Sequence, residues 1–275
     1  MIFTNILLII DYVVLFLAFL YLLAIMPRML NRPSNQAFRG YYYAHRGFHN
    51  NRTQAPENSM KAFEFAVKKG YGIELDVQLS KDFVPVVFHD DSLYRSCKVK
   101  GDVKDYTYQE LMEFSLFESN EKIPRLDQVL SLVDGKVPLI VEIKCNDSKV
   151  KVCSIVYDLL KVYKGIYCVE SFNPFAVHWF KKHAKGILRG QLSSNYAMVG
   201  DTHFLQKCVG YLLFNFWGKP DFIAYDHYYV NTISRRICKH LYRSLSVAWT
   251  ITSQKQLDVL KNDYDLFIFE DFEPK

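Results

Sequence analysis

From residue 41 to the end of the chain, short apolar β-forming runs alternate with helical periodicity, which confines the fold to an α/β layered sheet or closed barrel. Nine runs read as strands: 41–45, 72–79, 84–88, 137–144, 166–172, 187–192, 222–226, 246–251 and 266–270, each bounded by polar, Gly or Pro residues. Helical spacing fills most gaps, most clearly at 59–69, 108–114, 126–133, 148–163, 174–183 and 253–261, with Asn58 or Ser59 and then Ser253 as caps. One connection departs from the pattern. Only the SKDF stretch separates the second run from the third, too short for a parallel crossover, so these two are expected to pair as an antiparallel hairpin. Eight parallel strands remain, and the sequence predicts a TIM (β/α)8 barrel with a hairpin above its second strand.

The first thirty residues differ from the rest. Residues 6–26 are almost wholly apolar, and a helix of about 20 such residues spans a ~30 Å bilayer core. The flanks do not suit a cleaved signal peptide, since MIFTN carries no Lys or Arg before the run and LLAIMPRML offers no small-x-small site after it. Residues 1–30 are therefore expected to be a transmembrane anchor, 31–40 a polar linker and 41–275 the barrel. Arg28, Arg32 and Arg39 follow the span, so the positive-inside rule puts the barrel on the cytoplasmic side of a cell membrane. Asp11 lies inside the span, where a carboxylate must be protonated, snorkel or face a partner helix.

Composition narrows the remaining classes. Half of the residues are hydrophobic and no internal repeat is evident, which excludes a disordered chain or a solenoid. The net charge of +5 is spread through Lys pairs rather than gathered on one element, which argues against a nucleic-acid partner. Six cysteines are scattered with no C-x-x-C pair, in keeping with free thiols in a reducing compartment.

In a barrel of this kind, chemistry sits at the C-terminal ends of the strands. Those ends carry His45-Arg46, Glu74 and Asp76, Glu142 and Lys144, Glu170 and Ser171, Gln191, Asp226 and His227, Trp249 and Thr250, and Glu270 and Asp271. Glu74 and Asp76 are two apart and share a strand face, as do Glu142 and Lys144, so three carboxylates can converge. Oxygen donors without a thiolate suit a hard cation, Ca²⁺ or Mg²⁺; the alternative is an ion-pair network in which Arg46 and Lys144 neutralise the acids. The hairpin would return His89 to the level of Glu74 and Asp76, opposite His45, giving two imidazoles fit for acid/base work. His49, His178, His183, His203, His227 and His240 lack that setting and are read as surface or structural. Ser96 and Cys97 have no triad context for nucleophilic catalysis.

AHRG, PENSMKAF, GYGIELDVQLSKDFVPVVFHDDSLYR, IPRLDQVL and VPLIVEIK, in this order from about residue 43 to 144, resemble the glycerophosphodiester phosphodiesterase family, and ESFNP, GQL and VAWTI extend the resemblance more weakly. The resemblance implies a barrel that hydrolyses glycerophosphodiesters to glycerol 3-phosphate and an alcohol with a divalent cation, Ca²⁺ or Mg²⁺. It implies acid/base roles for His45 and His89, metal ligation by Glu74, Asp76 and Glu142, and substrate contacts from Arg46, Glu57 and Lys144. Trp249 keeps the family's aromatic position on the eighth strand, as a pocket wall or a core residue. The chain departs from the pattern at Ser96-Cys97, where relatives carry a Thr pair, and at DYDLFIFEDFEP, where Asp271 is the match for the final Asp. Two other readings stand beside this one: a lysophospholipase D acting on lysolipids, and a membrane-bound binding module without turnover.

Overall fold

The computed structural model describes residues 2–145, 150–198, 200 and 203–275. Among these residues nine strands form: β1 (Tyr42–Ala44), β2 (Gly72–Leu79), β3 (Pro85–Val87), β4 (Leu139–Ile143), β5 (Tyr167–Ser171), β6 (Arg189–Ser193), β7 (Phe222–Asp226), β8 (Leu245–Ile251) and β9 (Leu266–Phe269). All but β3 run parallel, and β1 pairs with both β9 and β2, which closes an eight-stranded barrel. β3 returns antiparallel on β2, with Val77 opposite Val87. The predicted hairpin is therefore present. It seats Phe88 so that its amide donates to the Asp76 carbonyl at 3.0 Å, and His89 follows directly at the mouth.

The barrel interior is filled from Tyr43, Ile140, Cys168, Leu188, Leu192, Phe222, Ala224, Val247 and Ile268, while the outward strand faces pack on the surrounding helices. Helices form at Met60–Lys69, Leu126–Val133 and Pro174–His183 much as the spacing predicts, the first with the Ser59 hydroxyl accepting from the Ala62 amide at 3.1 Å and the third with Asn173 as its cap. The helix expected at 108–114 stops at Leu111, and that at 253–261 spans Gln254–Leu260. The segment expected at 148–163 is helical over Lys151–Leu160; its proposed start at Ser148 lies outside the described residues. Helices at Phe204–Gly210 and Ile233–His240 were not read from sequence. The second shows why: ISRRICKH is too polar to draw attention, and its buried residues, Ser234, Arg235 and Cys238, include two that are not apolar.

The N-terminal helix, Ile2–Ile25, is long and apolar enough to cross a membrane over Asn5–Ile25, and its residues 5–20 are exposed. Its end is docked on the barrel. The Ile25 carbonyl accepts from Asn215 Nδ2 at 2.9 Å, the Met26 carbonyl accepts from Lys219 Nζ at 3.0 Å, and Arg28 NH1 reaches Asp221 Oδ1 at 3.4 Å. The segment expected as a linker runs beneath the barrel floor, where Phe38 is buried and its carbonyl accepts from the Tyr43 hydroxyl at 2.8 Å.

Candidate active site

The site is built on backbone turns at the mouth. Arg46 adopts φ 54° and Gly47 φ 83°, and a Cβ added at Gly47 would lie 2.9 Å from the Ala62 backbone and Cβ. Glycine is therefore required where the chain leaves β1 against the Met60–Lys69 helix. The turn points the Arg46 amide at Glu74 Oε2 (3.1 Å) and its guanidinium at Glu57 Oε1 (2.8 Å) and Asp76 Oδ2 (3.5 Å). Burial opposes the charge on Arg46, but Asp76, Glu57 and Glu74 outweigh it and raise its pKa.

β2 and β4 lie in register, with Asp76 opposite Glu142, so the three acids meet on one inner face. One oxygen from each of Glu74, Asp76 and Glu142 lies within 4.8 Å of the others, and all three residues are buried. Lys144 Nζ closes the group at 3.0 Å from Asp76 Oδ1 and 2.9 Å from Glu142 Oε1. Burial, with Asp76 and Glu142 adding repulsion, holds Glu74 well above the usual carboxylate range. Burial and Asp76 push Glu142 up to about 7, partly offset by Lys144. Burial would raise Asp76 as well, but Lys144, His89 and Arg46 hold it well below the usual carboxylate range. Three carboxylates facing Lys144 and Arg46 form an all-oxygen donor set that fits a hard divalent cation.

The two histidines flank this cluster, each with Nδ1 held by a carboxylate: His45 by Glu270 Oε2 and His89 by Asp90 Oδ1, both at 2.6 Å. His45 Nε2 lies 3.9 Å from Glu74 Oε2. Burial lowers the pKa of both rings, with Glu270 and Asp76 respectively pulling the other way. Glu57 sits at the rim between Arg46 and Arg95, whose NH1 and NH2 donate to its two oxygens at 2.9 and 2.5 Å. Burial would raise Glu57, but Arg95 and Arg46 bring it down to about 2. Trp249 stands across the mouth, edge-on to Phe172 with ring centres 5.6 Å apart. His45, Arg46, Glu74, His89, Glu142 and Trp249 all line one cavity of about 230 Å³, together with Glu170, Phe172 and Leu192.

Residues 45–259 match the model of the glycerophosphoryl diester phosphodiesterase family. The chain belongs to that family. A glycerophosphodiester phosphodiesterase of Bacillus altitudinis is 45% identical over 113 residues, covering 38% of this chain and 45% of that protein. The match thus spans under half of that relative, whereas YhdW of Bacillus subtilis (strain 168) is 30% identical over 255 residues, 84% of this chain and 97% of YhdW. A lysophospholipase D of Homo sapiens is 33% identical over 141 residues, 46% of this chain and 44% of that protein. An Oleispira antarctica phosphodiesterase, solved in complex with the product sn-glycerol-3-phosphate, shares the fold with a TM-score of 0.69 at 23% identity, over 85% of this chain and 94% of that one. The family and the barrel are those that the motifs implied.

Sequence reasoning missed parts of this phosphodiesterase site. Asp271 was matched to the family's final acid, but it is exposed, and the carboxylate that reaches His45 is its neighbour Glu270. Burial would raise Glu270, yet His45 and His49 hold it well below the usual carboxylate range. His49 is largely buried, with Nε2 3.9 Å from Glu270 Oε2, so it is structural rather than a surface residue. Arg95 and Asp90 were passed over because charged residues between strands read as solvated surface, although both lie within the quoted FHDDSLYR motif. Glu170 was noted only as a strand end. It is buried, Oε2 has no hydrogen-bond partner among the described residues, and burial with Glu142 and Asp76 keeps its pKa well above the usual range. Burial pushes the Cys97 thiol up to about 11, which disfavours a thiolate nucleophile.

Proposed function

We propose that the chain is a membrane-anchored, divalent-cation-dependent hydrolase of glycerophosphodiesters, releasing glycerol 3-phosphate and an alcohol by acid/base catalysis from His45 and His89. The observation that carries this reading is the pair of Nδ1-held imidazoles on either side of the Glu74–Asp76–Glu142 cluster. A carboxylate on Nδ1 fixes the tautomer and leaves Nε2 to exchange a proton with substrate, as in other His–carboxylate pairs. One imidazole, neutral, takes the proton of the attacking hydroxyl on Nε2, while the other, as an imidazolium with its Nδ1 carboxylate as counter-ion, gives its Nε2 proton to the leaving alkoxide. Arg46 and Lys144 orient the phosphoryl oxygens and offset charge growing on them, with Glu57 holding Arg46 in place. Ca²⁺ or Mg²⁺, held by Glu74, Asp76 and Glu142, would supply Lewis-acid stabilisation of the same oxygens. Trp249 and Phe172 supply an apolar wall for the glycerol or head group.

The anchor reading is supported by Asn5–Ile25, a span of suitable length and hydropathy, and the arginines after it favour a cytoplasmic barrel. Lysophospholipase D activity is the second reading, favoured by that anchor and by the likeness to the human enzyme. Full retention of His45, His89 and the three acids speaks against a binding module without turnover. The test is release of glycerol 3-phosphate from glycerophosphocholine and related diesters by purified full-length protein. Release that is lost with chelator, restored by Ca²⁺ or Mg²⁺ and abolished in His45→Ala and His89→Ala supports the proposal. Absence of turnover on every head group with either ion overturns it. Parallel assays on lysophosphatidylcholine separate the two substrate readings.

A further inference from the structure

The direction in which the N-terminal helix meets the barrel fixes which face of the barrel looks at the bilayer. Strands run from floor to mouth, so each segment that leaves a strand returns from mouth to floor. The return after β6 passes Tyr211, Asn215, Lys219 and Pro220 in descending order, and the return helix after β7 descends from Ser234 to Cys238. The N-terminal helix meets both, descending from Tyr21 to Arg28, with the Leu22 carbonyl also accepting from the long Tyr242 side chain at 2.9 Å. The Tyr21 hydroxyl lies beside Ser234 and Tyr211, the Ile25 carbonyl accepts from Asn215 and from Cys238 Sγ (3.4 Å), and the Met26 carbonyl accepts from Lys219. The Arg28 amide then donates to the Pro220 carbonyl at 3.0 Å. The helix thus runs parallel to these returns, and its earlier residues project beyond the mouth, not below the floor. The exposed stretch of residues 5–20 continues for about 24 Å in that direction at 1.5 Å per residue, most of a ~30 Å hydrocarbon core.

A second observation lies on the same side. Phe204 and Leu205 open the return after β6, while Tyr228 and Ile233 follow β7, and all four are between 67% (Leu205) and 77% (Phe204) exposed. They stand on the two connections beside which the helix rises. Large side chains gathered on one rim need an apolar cover, and a bilayer entered by the adjoining helix supplies it.

Resting on the proposed membrane anchor, we infer that Phe204, Leu205, Tyr228 and Ile233 form a lipid-contacting rim, so that the catalytic mouth faces the membrane and receives phosphodiesters resident in its interface. Entry of a lysolipid-class substrate then needs no full extraction into water, whereas a deacylated diester reaches the mouth from solution. The rim should matter for the first substrate only.

The test uses full-length protein in vesicles of phosphatidylcholine with phosphatidylglycerol, with Cys97 and Cys145 replaced by Ser and a bimane probe on one introduced cysteine. Brominated lipid should quench probes at Phe204→Cys and Tyr228→Cys at least about twofold more than one at Lys185→Cys on the floor, as expected for side chains ~5–10 Å into the interface. Quenching at Lys185 equal to or above that at the rim overturns the orientation. A probe at Leu15→Cys tests the underlying anchor separately: no quenching there rejects the anchor, while quenching there without quenching at the rim rejects the orientation alone. Phe204→Asp with Leu205→Asp should raise KM for vesicle-borne lysolipid about tenfold and leave soluble glycerophosphodiester turnover unchanged. An equal effect on both substrates, or burial of the rim between two copies of the chain in the vesicle, also overturns it.

Discussion

Glu270 Oε2 lies 2.6 Å from His45 Nδ1, joining the end of β9 to the end of β1 across the seam where the barrel closes. The contact decides the ring's role, because it leaves Nε2 as the nitrogen that faces Glu74 and the cavity.

Replacing Glu270 with Gln should keep the packing but remove the charge that fixes the His45 tautomer. Loss of such an orienting carboxylate has cost ~10⁴ in kcat elsewhere, and a fall of at least about 10² is expected here. Steady-state kinetics, with circular dichroism as the folding control, checks this; a kcat within threefold of the parent, roughly 0.6 kcal/mol, would reject it.

Arg95 ties Glu57 to Asp90, and so links the partner of Arg46 to the partner of His89. Arg95→Lys keeps a charge but loses the fork, since Lys presents a single ammonium. The expected result is roughly tenfold lower kcat/KM with only about 1 kcal/mol lost in urea unfolding, because the guanidinium is partly exposed and screened. A loss confined to stability would mean that the residue only braces the loop.

Gly47→Ala should be disproportionately harmful for one added methyl. The φ of 83° and the 2.9 Å approach to Ala62 add strain to overlap, and non-glycine residues in such conformations cost about 1–3 kcal/mol. Thermal unfolding should shift down, with activity falling further than stability because Arg46 moves with the turn.

Acid should destabilise the protein through Glu57. Its folded pKa is depressed to about 2 from 4.5, so its stabilising contribution is present above 4.5 and is lost as pH falls toward 2. The linkage amounts to about 3 kcal/mol at most. Glu270, also depressed, acts in the same sense. Glu142, raised to about 7, acts in the opposite sense above 4.5, so the effect of Glu57 is read below that pH. Denaturant unfolding at pH 4.5 and pH 3 should show a smaller drop for Glu57→Gln than for the parent; equal drops would contradict the assignment.

Local chemistry determined much of this in advance. Alternating periodicity, a connection too short to cross over and paired acids two residues apart depend only on chain geometry, so the barrel, the β2–β3 hairpin and the convergence of Glu74, Asp76 and Glu142 were all legible in order along the chain. Glu270, Arg95 and the buried Glu170 were not, because their roles are set by partners 225, 38 and more than 20 residues away. Nothing in a sequence distinguishes a carboxylate that will meet an imidazole from one that will meet water. The same holds for the N-terminal helix. Its length and hydropathy were fixed by its own residues, but the face of the barrel it rises past was decided only by tertiary docking, through carbonyls at Ile25 and Met26 that carry no side-chain signature.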